Sequence, residues 1–118
     1  MNFECEFSQS ELGSLVIEIK PNSLIEGDYS LLEICLIADI VDDDEALTWI
    51  DNVLLDKQKK AHWGGNVTIA EFDKCQTEIV IGITENSEKC TLPTWLFREI
   101  VEVWLKEYKK HFEATHKD

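Results

Sequence analysis

The stretch "YSLLEICLIADIVDDDEALTWIDNVLL", residues 29–55, decides how this chain is organised. Its first part is a run of branched and apolar residues. We read Leu31 to Ile40 as one long strand, with Gly27-Asp28 as the turn before it. Glu33 and Asp39 interrupt that run, and on a strand Glu33 faces away from Leu32, Ile34 and Leu36. The second part changes period. Asp42 and Glu45 stand three apart, the spacing of a capping box with an acidic cap. Leu47, Ile50, Val53 and Leu54 then recur at helical spacing, with Trp49 off the centre of the stripe. Acids in a first turn complement the positive end of the helix dipole by roughly 0.3–1 kcal/mol each. Lys57, Lys59 and Lys60 are expected to close the helix at its negative end.

Working outward, "FECEF" (3–7) alternates apolar and acidic residues with period two, as a half-buried strand does. "SLVIEIK" (14–20) is a second strand, ended by the turn signal Pro21-Asn22-Ser23. After the central helix, Gly64-Gly65-Asn66 breaks the chain. Val67, Ile69 and Phe72 lead to a turn at Asp73–Gln76, and Glu78 to Thr84 returns as a strand. "ENSEK" (85–89) is a polar turn, and Cys90–Leu92 is a short last strand. Pro93 opens a terminal helix, a residue favoured in a first turn. Phe97, Ile100, Val101, Trp104, Tyr108 and Phe112 share its apolar face, widened by Trp95, Leu96 and Val103. The linkers are too short for crossovers between parallel strands. The expected fold is therefore α+β, a mainly antiparallel sheet of five to six strands with two helices packed on one face, in a single domain spanning 1–118.

The chain's 118 residues, 44% of them hydrophobic, suffice for a real core. No apolar run approaches the length that spans a bilayer, and the acidic N-terminus lacks the features of a signal peptide, so the expected location is cytoplasmic. The four cysteines, Cys5, Cys35, Cys75 and Cys90, lie 30, 40 and 15 residues apart. No closely paired zinc ligands exist, and small buried thiols are the expected state.

No catalytic constellation emerges, and no enzyme activity, cofactor or metal site is expected. His111 and His116 are five apart rather than the four of helical metal pairs. His62 has no marked nucleophile beside it. Asp42-Asp43-Asp44-Glu45 lacks the spaced carboxylates of a calcium loop, and Gly64-Gly65 fits no phosphate-binding motif.

Charge is the outstanding property. The net charge is −13, from 24 acids against 11 Lys and Arg. Residues 1–60 hold 14 acids and 4 lysines, whereas residues 94–118 hold five of each sign. Such a field repels nucleic acid and anionic membranes and attracts basic proteins, raising association rates by roughly 10- to 10³-fold. The candidate partner-binding acids are Asp39, Asp42, Asp43, Asp44 and Asp51 around the central helix. Glu71 and Asp73 on the hairpin, with Glu85 on the next turn, extend that surface. Trp49 and Trp63 are the candidate aromatic anchors, because Trp95 and Trp104 belong to the packing face of the terminal helix.

The acidic helix, "WGGNVTIAEF", "TEIVIGI" and "LPTWLFREIVEVWLKEYKKHF" together give a layout over residues 42–112 that resembles small bacterial immunity proteins. The features are Gly-Gly-Asn before a hairpin and a final Trp-containing amphipathic helix. The resemblance implies a cytoplasmic inhibitor in a contact-dependent growth inhibition or related polymorphic toxin system. It implies as partner a cognate toxin domain, often a basic nuclease, neutralised by blockade of its active site. No binding residue carries over from it, so the site residues stand on charge alone. The expected inhibitor binds no nucleic acid or membrane directly and is monomeric when free. An acidic adaptor, a self-associating interaction domain and a DNA-mimic inhibitor are the other readings of the same charge.

Overall fold

A computed structural model describes residues 2–41, 44–81 and 88–115. The elements are β1 (Cys5–Gln9), β2 (Leu15–Ile19), β3 (Glu26–Gly27), α1 (Tyr29–Ile34), α2 (Glu45–Leu54), β4 (Lys60–Gly64), β5 (Thr68–Asp73), β6 (Gln76–Ile81), β7 (Cys90–Pro93) and α3 (Thr94–Thr115). A π-helical turn, Cys35–Asp39, continues α1. The α+β class and the antiparallel pairing agree with expectation. The strands, however, form two sheets: a β1-β2 hairpin and a five-stranded antiparallel sheet in the order β3-β7-β6-β5-β4. There are three helices among the described residues rather than two.

The expected strand from Leu31 to Ile40 is instead α1 and its π turn. Leu31, Leu32, Cys35, Leu36, Asp39 and Ile40 are all buried. Their spacing of one, three, one, three and one residues is a helical stripe, which the run conceals because most of the positions between them are apolar as well. Local chemistry starts the helix: Asp28 caps it, its Oδ1 accepting from the Ser30 backbone N–H at 3.0 Å. The Ile40 N–H then donates to the Cys35 carbonyl at 3.1 Å, the i→i+5 bond of a π turn. Glu33 has a use that a strand would not have given it. Its carboxylate accepts from the Ile19 N–H at 2.8 Å and so ties α1 to the edge of β2.

The main sheet alternates cleanly. Thr68, Ala70 and Phe72 on β5, Thr77 and Ile79 on β6, and Cys90 and Leu92 on β7 are buried toward the helices. Ile50 and Val53 of α2 and Leu96, Phe97, Ile100, Val101 and Trp104 of α3 fill the space above them. Phe72 meets Phe97 with ring centroids 6.1 Å apart, and Phe7 of β1 stacks on Trp104 at 6.4 Å, so the hairpin covers α3. The Trp104 indole N–H donates to the Ile40 carbonyl, which fixes α3 to the end of the π turn.

Three further expectations are corrected. α2 ends at Leu54, before the lysines expected to close it. The Lys57 N–H donates to the Asn52 carbonyl at 2.8 Å and Asp56 takes φ 60°, a Schellman ending with Asp in the usual glycine position. Lys60 begins β4, a strand that the charged, glycine-ended sequence Lys60–Gly64 did not announce. Trp95, expected on the packing face of α3, is 43% exposed and Phe112 is 41% exposed, because the core takes Leu96 and Leu105 instead. Cys35 and Cys90 are buried as expected, but Cys75 is exposed and Cys5 half-buried. The return strand is described only to Ile81, and the "ENSEK" turn lies largely outside the described residues.

Candidate functional site

The acids assigned to one surface fall into separate environments. Asp39 is buried, at 8% exposure. Its Oδ1 accepts from the N–H groups of Asn66 at 3.0 Å and Val67 at 3.4 Å. Its Oδ2 accepts from the Thr68 N–H at 2.8 Å and the Thr68 hydroxyl at 2.6 Å. Three successive backbone N–H groups at a hairpin tip form an anion-binding concavity, and the chain fills it with its own carboxylate. Asp39 is thus no outward-facing contact. Desolvating a carboxylate is tolerable only when hydrogen bonds replace its water, and here four do.

Asp44 and Asp51 are exposed or half-exposed, yet each faces α3. Lys109 Nζ lies 3.0 Å from Asp44, and Arg98 Nε lies 2.6 Å from Asp51, with Arg98 also reaching Glu102 at 3.0 Å. The pairs run in opposite chain order and hold α2 and α3 antiparallel. Asp42, Asp43 and Glu85 lie outside the described residues.

Glu71 and Asp73 stand on the opposite face of the sheet from the helices, so they do not continue the α2 surface as expected. Register places Glu26, Thr91, Glu78, Glu71 and His62 in one row across all five strands. Glu71 and Glu78 are direct neighbours of like charge, an arrangement that costs stability. Glu78 has Lys89 at 3.6 Å, whereas Glu71 makes no ion pair among the described residues. Asp73 spends one oxygen on the β5-β6 turn, accepting from the Cys75 and Gln76 N–H groups at 2.8 Å each. Those bonds hold its carboxyl below the usual carboxylate range.

A groove of about 730 Å³ joins these acids to the two candidate tryptophans. Trp49, Gln58 and Trp63 line its helix side, Lys60 to Gly64 form its middle, and Glu71, Asp73, Gln76 and Glu78 line its sheet side. The Trp63 indole N–H donates to the Asp39 carbonyl at 2.8 Å, so Asp39 anchors both the hairpin tip and this ring. Gly64 is required where it stands. At φ 122°, a Cβ there would meet the Thr68 carbonyl oxygen at 2.2 Å. The groove therefore gathers Trp49, Trp63, Glu71 and Asp73 of the expected residues. It adds Lys60, Gln76 and Glu78, which charge counting passed over although the alternation of "TIAEFD" already put Glu71 and Asp73 on one face.

The two buried thiols are unreactive. Burial pushes the Cys35 thiol up to about 12 and the Cys90 thiol to about 11. The His111 Nε2–H donates to the Gly13 carbonyl at 2.9 Å, linking α3 to the β1-β2 turn. Among the described residues no group of three or more His, Cys, Asp or Glu side chains is placed to hold a metal ion, and no helix is long and apolar enough to cross a membrane. No protein-family model, curated protein or solved structure matches this chain.

Proposed function

We propose that this chain is a cytoplasmic immunity protein that binds and neutralises a cognate, basic bacterial toxin domain by blocking its active site. The observation that carries the reading is the acid-bearing sheet face beside the groove. Glu71, Glu78 and Asp73 crowd together at a cost to the fold, in a chain of net charge −13. Like charges kept opposite one another in a sheet are worth retaining when a cation arrives to neutralise them. Trp49 and Trp63 supply apolar anchor area next to those acids, and the Asp39 carbonyl holds the Trp63 ring in place before any partner binds. Asp42, Asp43 and Glu85 add to the long-range field that steers the partner in.

The test is to ask whether the preceding reading frame encodes a large secreted protein with a variable C-terminal domain and, where it does, to co-express that domain with this chain. Survival of cells making the toxin domain, together with a 1:1 complex whose association slows steeply with added salt, is the expected result. Cell death despite co-expression, or a complex indifferent to salt, overturns the reading.

A further inference from the structure

The main sheet has two edges, and they are treated differently. The β3 edge is two residues long and continues directly into α1. The β4 edge is five residues long, Lys60–Gly64, and runs along the floor of the groove. The Gly65 N–H donates to the Thr68 carbonyl at 2.9 Å, which sets the hydrogen-bonding parity of the β4-β5 ladder. By alternation Ala61 and Trp63 bond to β5, and Lys60, His62 and Gly64 direct their N–H and C=O groups outward. None of these outward groups bonds to another backbone atom among the described residues. An edge of this length is a template for a further strand; among the described residues no strand pairs with its outer side, and Lys60 at its start is the charged residue on it.

We propose, building on the protein-binding reading above, that the β4 edge receives an extended, Lys/Arg-bearing segment of the partner protein, which adds to the sheet as a sixth strand. Five residues of edge span about 17 Å, and the added strand lies about 4.8 Å from β4. Its alternate side chains fall on the two walls of the groove. Those on the open face lie beside His62 and within reach of Glu71, so a long cationic side chain fits there. Those on the other face meet Trp49 and Trp63, which favours apolar residues. A second copy of this chain is the wrong occupant on charge, because it brings another net charge of −13 to the same face.

The experiment is amide hydrogen exchange by NMR on the free chain, with a capped eight-residue peptide of alternating Lys and Val, and with a Glu/Val peptide as control. The Lys/Val peptide is expected to slow exchange at His62 and Gly64 by roughly tenfold or more at saturation, leaving Ala61 and Trp63, already bonded to β5, unchanged. The Glu/Val peptide is expected to leave all four as they were. Slowing by both peptides alike, slowing by neither, or protection already present in the free chain that grows with its concentration each overturns the proposal. His62→Pro, at a position whose N–H faces away from the sheet, is expected to lose peptide binding at least about tenfold while His62→Ala keeps it. A toxin complex without protection at His62 and Gly64 removes strand addition alone. Edge protection by the peptide in a chain that captures no toxin removes the toxin reading alone.

Discussion

The acids around α2 and the acids on the open sheet face carry the same formal charge and do opposite work. Asp39, Asp44 and Asp51 are each engaged by other parts of the chain: Asp39 by a hairpin tip, Asp44 by Lys109 and Asp51 by Arg98. Glu71 and Glu78 sit side by side, and among the described residues their one ion pair is Glu78 with Lys89 at 3.6 Å. The first group holds elements together. The second is tolerated by the fold rather than needed by it. A run of carboxylates in a sequence therefore does not locate a recognition face. What matters is which of them the fold leaves without a cation or a backbone N–H.

The sharpest way to break this contrast is Asp39→Ala. Four acceptor contacts to partly buried donors vanish together, and we expect a loss of about 3 kcal/mol in urea denaturation. A loss below about 0.5 kcal/mol would place Asp39 with the dispensable acids. Next comes the Asp51–Arg98 pair, whose side chains are 37% and 34% exposed. Solvent screening limits its coupling to about 0.5–1 kcal/mol in a double-mutant cycle of Asp51→Ala and Arg98→Ala. Glu71→Gln and Glu78→Gln should change stability by less than about 0.5 kcal/mol, and upward, since repulsion between neighbours is relieved. The same two substitutions are expected to slow association with a basic toxin domain. If they instead destabilise the chain by more than 1 kcal/mol, the division into two groups fails.

Acid titration sharpens the picture further. Backbone N–H groups hold Asp73 below its ordinary value of 3.8, and the Asn2 side chain and N–H hold Glu99 below 4.5. A carboxyl depressed in the folded state contributes stability that is complete above its unfolded value and is lost as pH falls through the folded one. Thermal melts should therefore be flat above about pH 5 and decline below about pH 4. Asp73→Asn keeps an oxygen for the turn without the charge, and is expected to flatten part of that decline.

Much of the fold was legible where one face is wet. β1, β2, β5 and β6 alternate, and the apolar residues of α2 and α3 recur at helical spacing, because solvent on one side forces polar residues to appear at fixed intervals. The segment 31–40 lacks a wet side. Leu31, Leu32, Cys35 and Leu36 are buried and Ile34 and Ile37 half-buried, so the two acids, Glu33 and Asp39, are too few to mark the period, and a helix reads like a strand. The one acid buried in that segment, Asp39, was a signal of a different kind. A carboxylate within an apolar run needs donors, and the hairpin tip that follows Gly64-Gly65 supplies the backbone N–H groups of Asn66, Val67 and Thr68. β4 was hidden because Lys57, Lys59 and Lys60 suit a helix end equally well, and only the αL conformation of Asp56 shows that α2 has already stopped. The groove was half legible, since its tryptophans and two of its acids were chosen from sequence. The facing of α2 toward α3, which removes Asp44 and Asp51 from it, depends on long-range packing with no local trace.

The π turn at Cys35–Asp39 has a consequence for how insertions and deletions are tolerated here. In an α-helix each residue advances about 100° around the axis, and a π turn accommodates one residue more than an α turn. Removing Ile37 would therefore restore ordinary winding and leave the chain after it at nearly the same rotation about the axis, with Asp39 still at the hairpin tip and the Ile40 carbonyl still at the Trp104 indole. Removing a residue from the ordinary α turns before it, such as Leu32, meets no such slack and swings everything downstream by about 100°. The wide turn is thus the place in this helix where the loss of one residue is best absorbed, and a single-codon deletion at Ile37 should damage the fold less than one at Leu32.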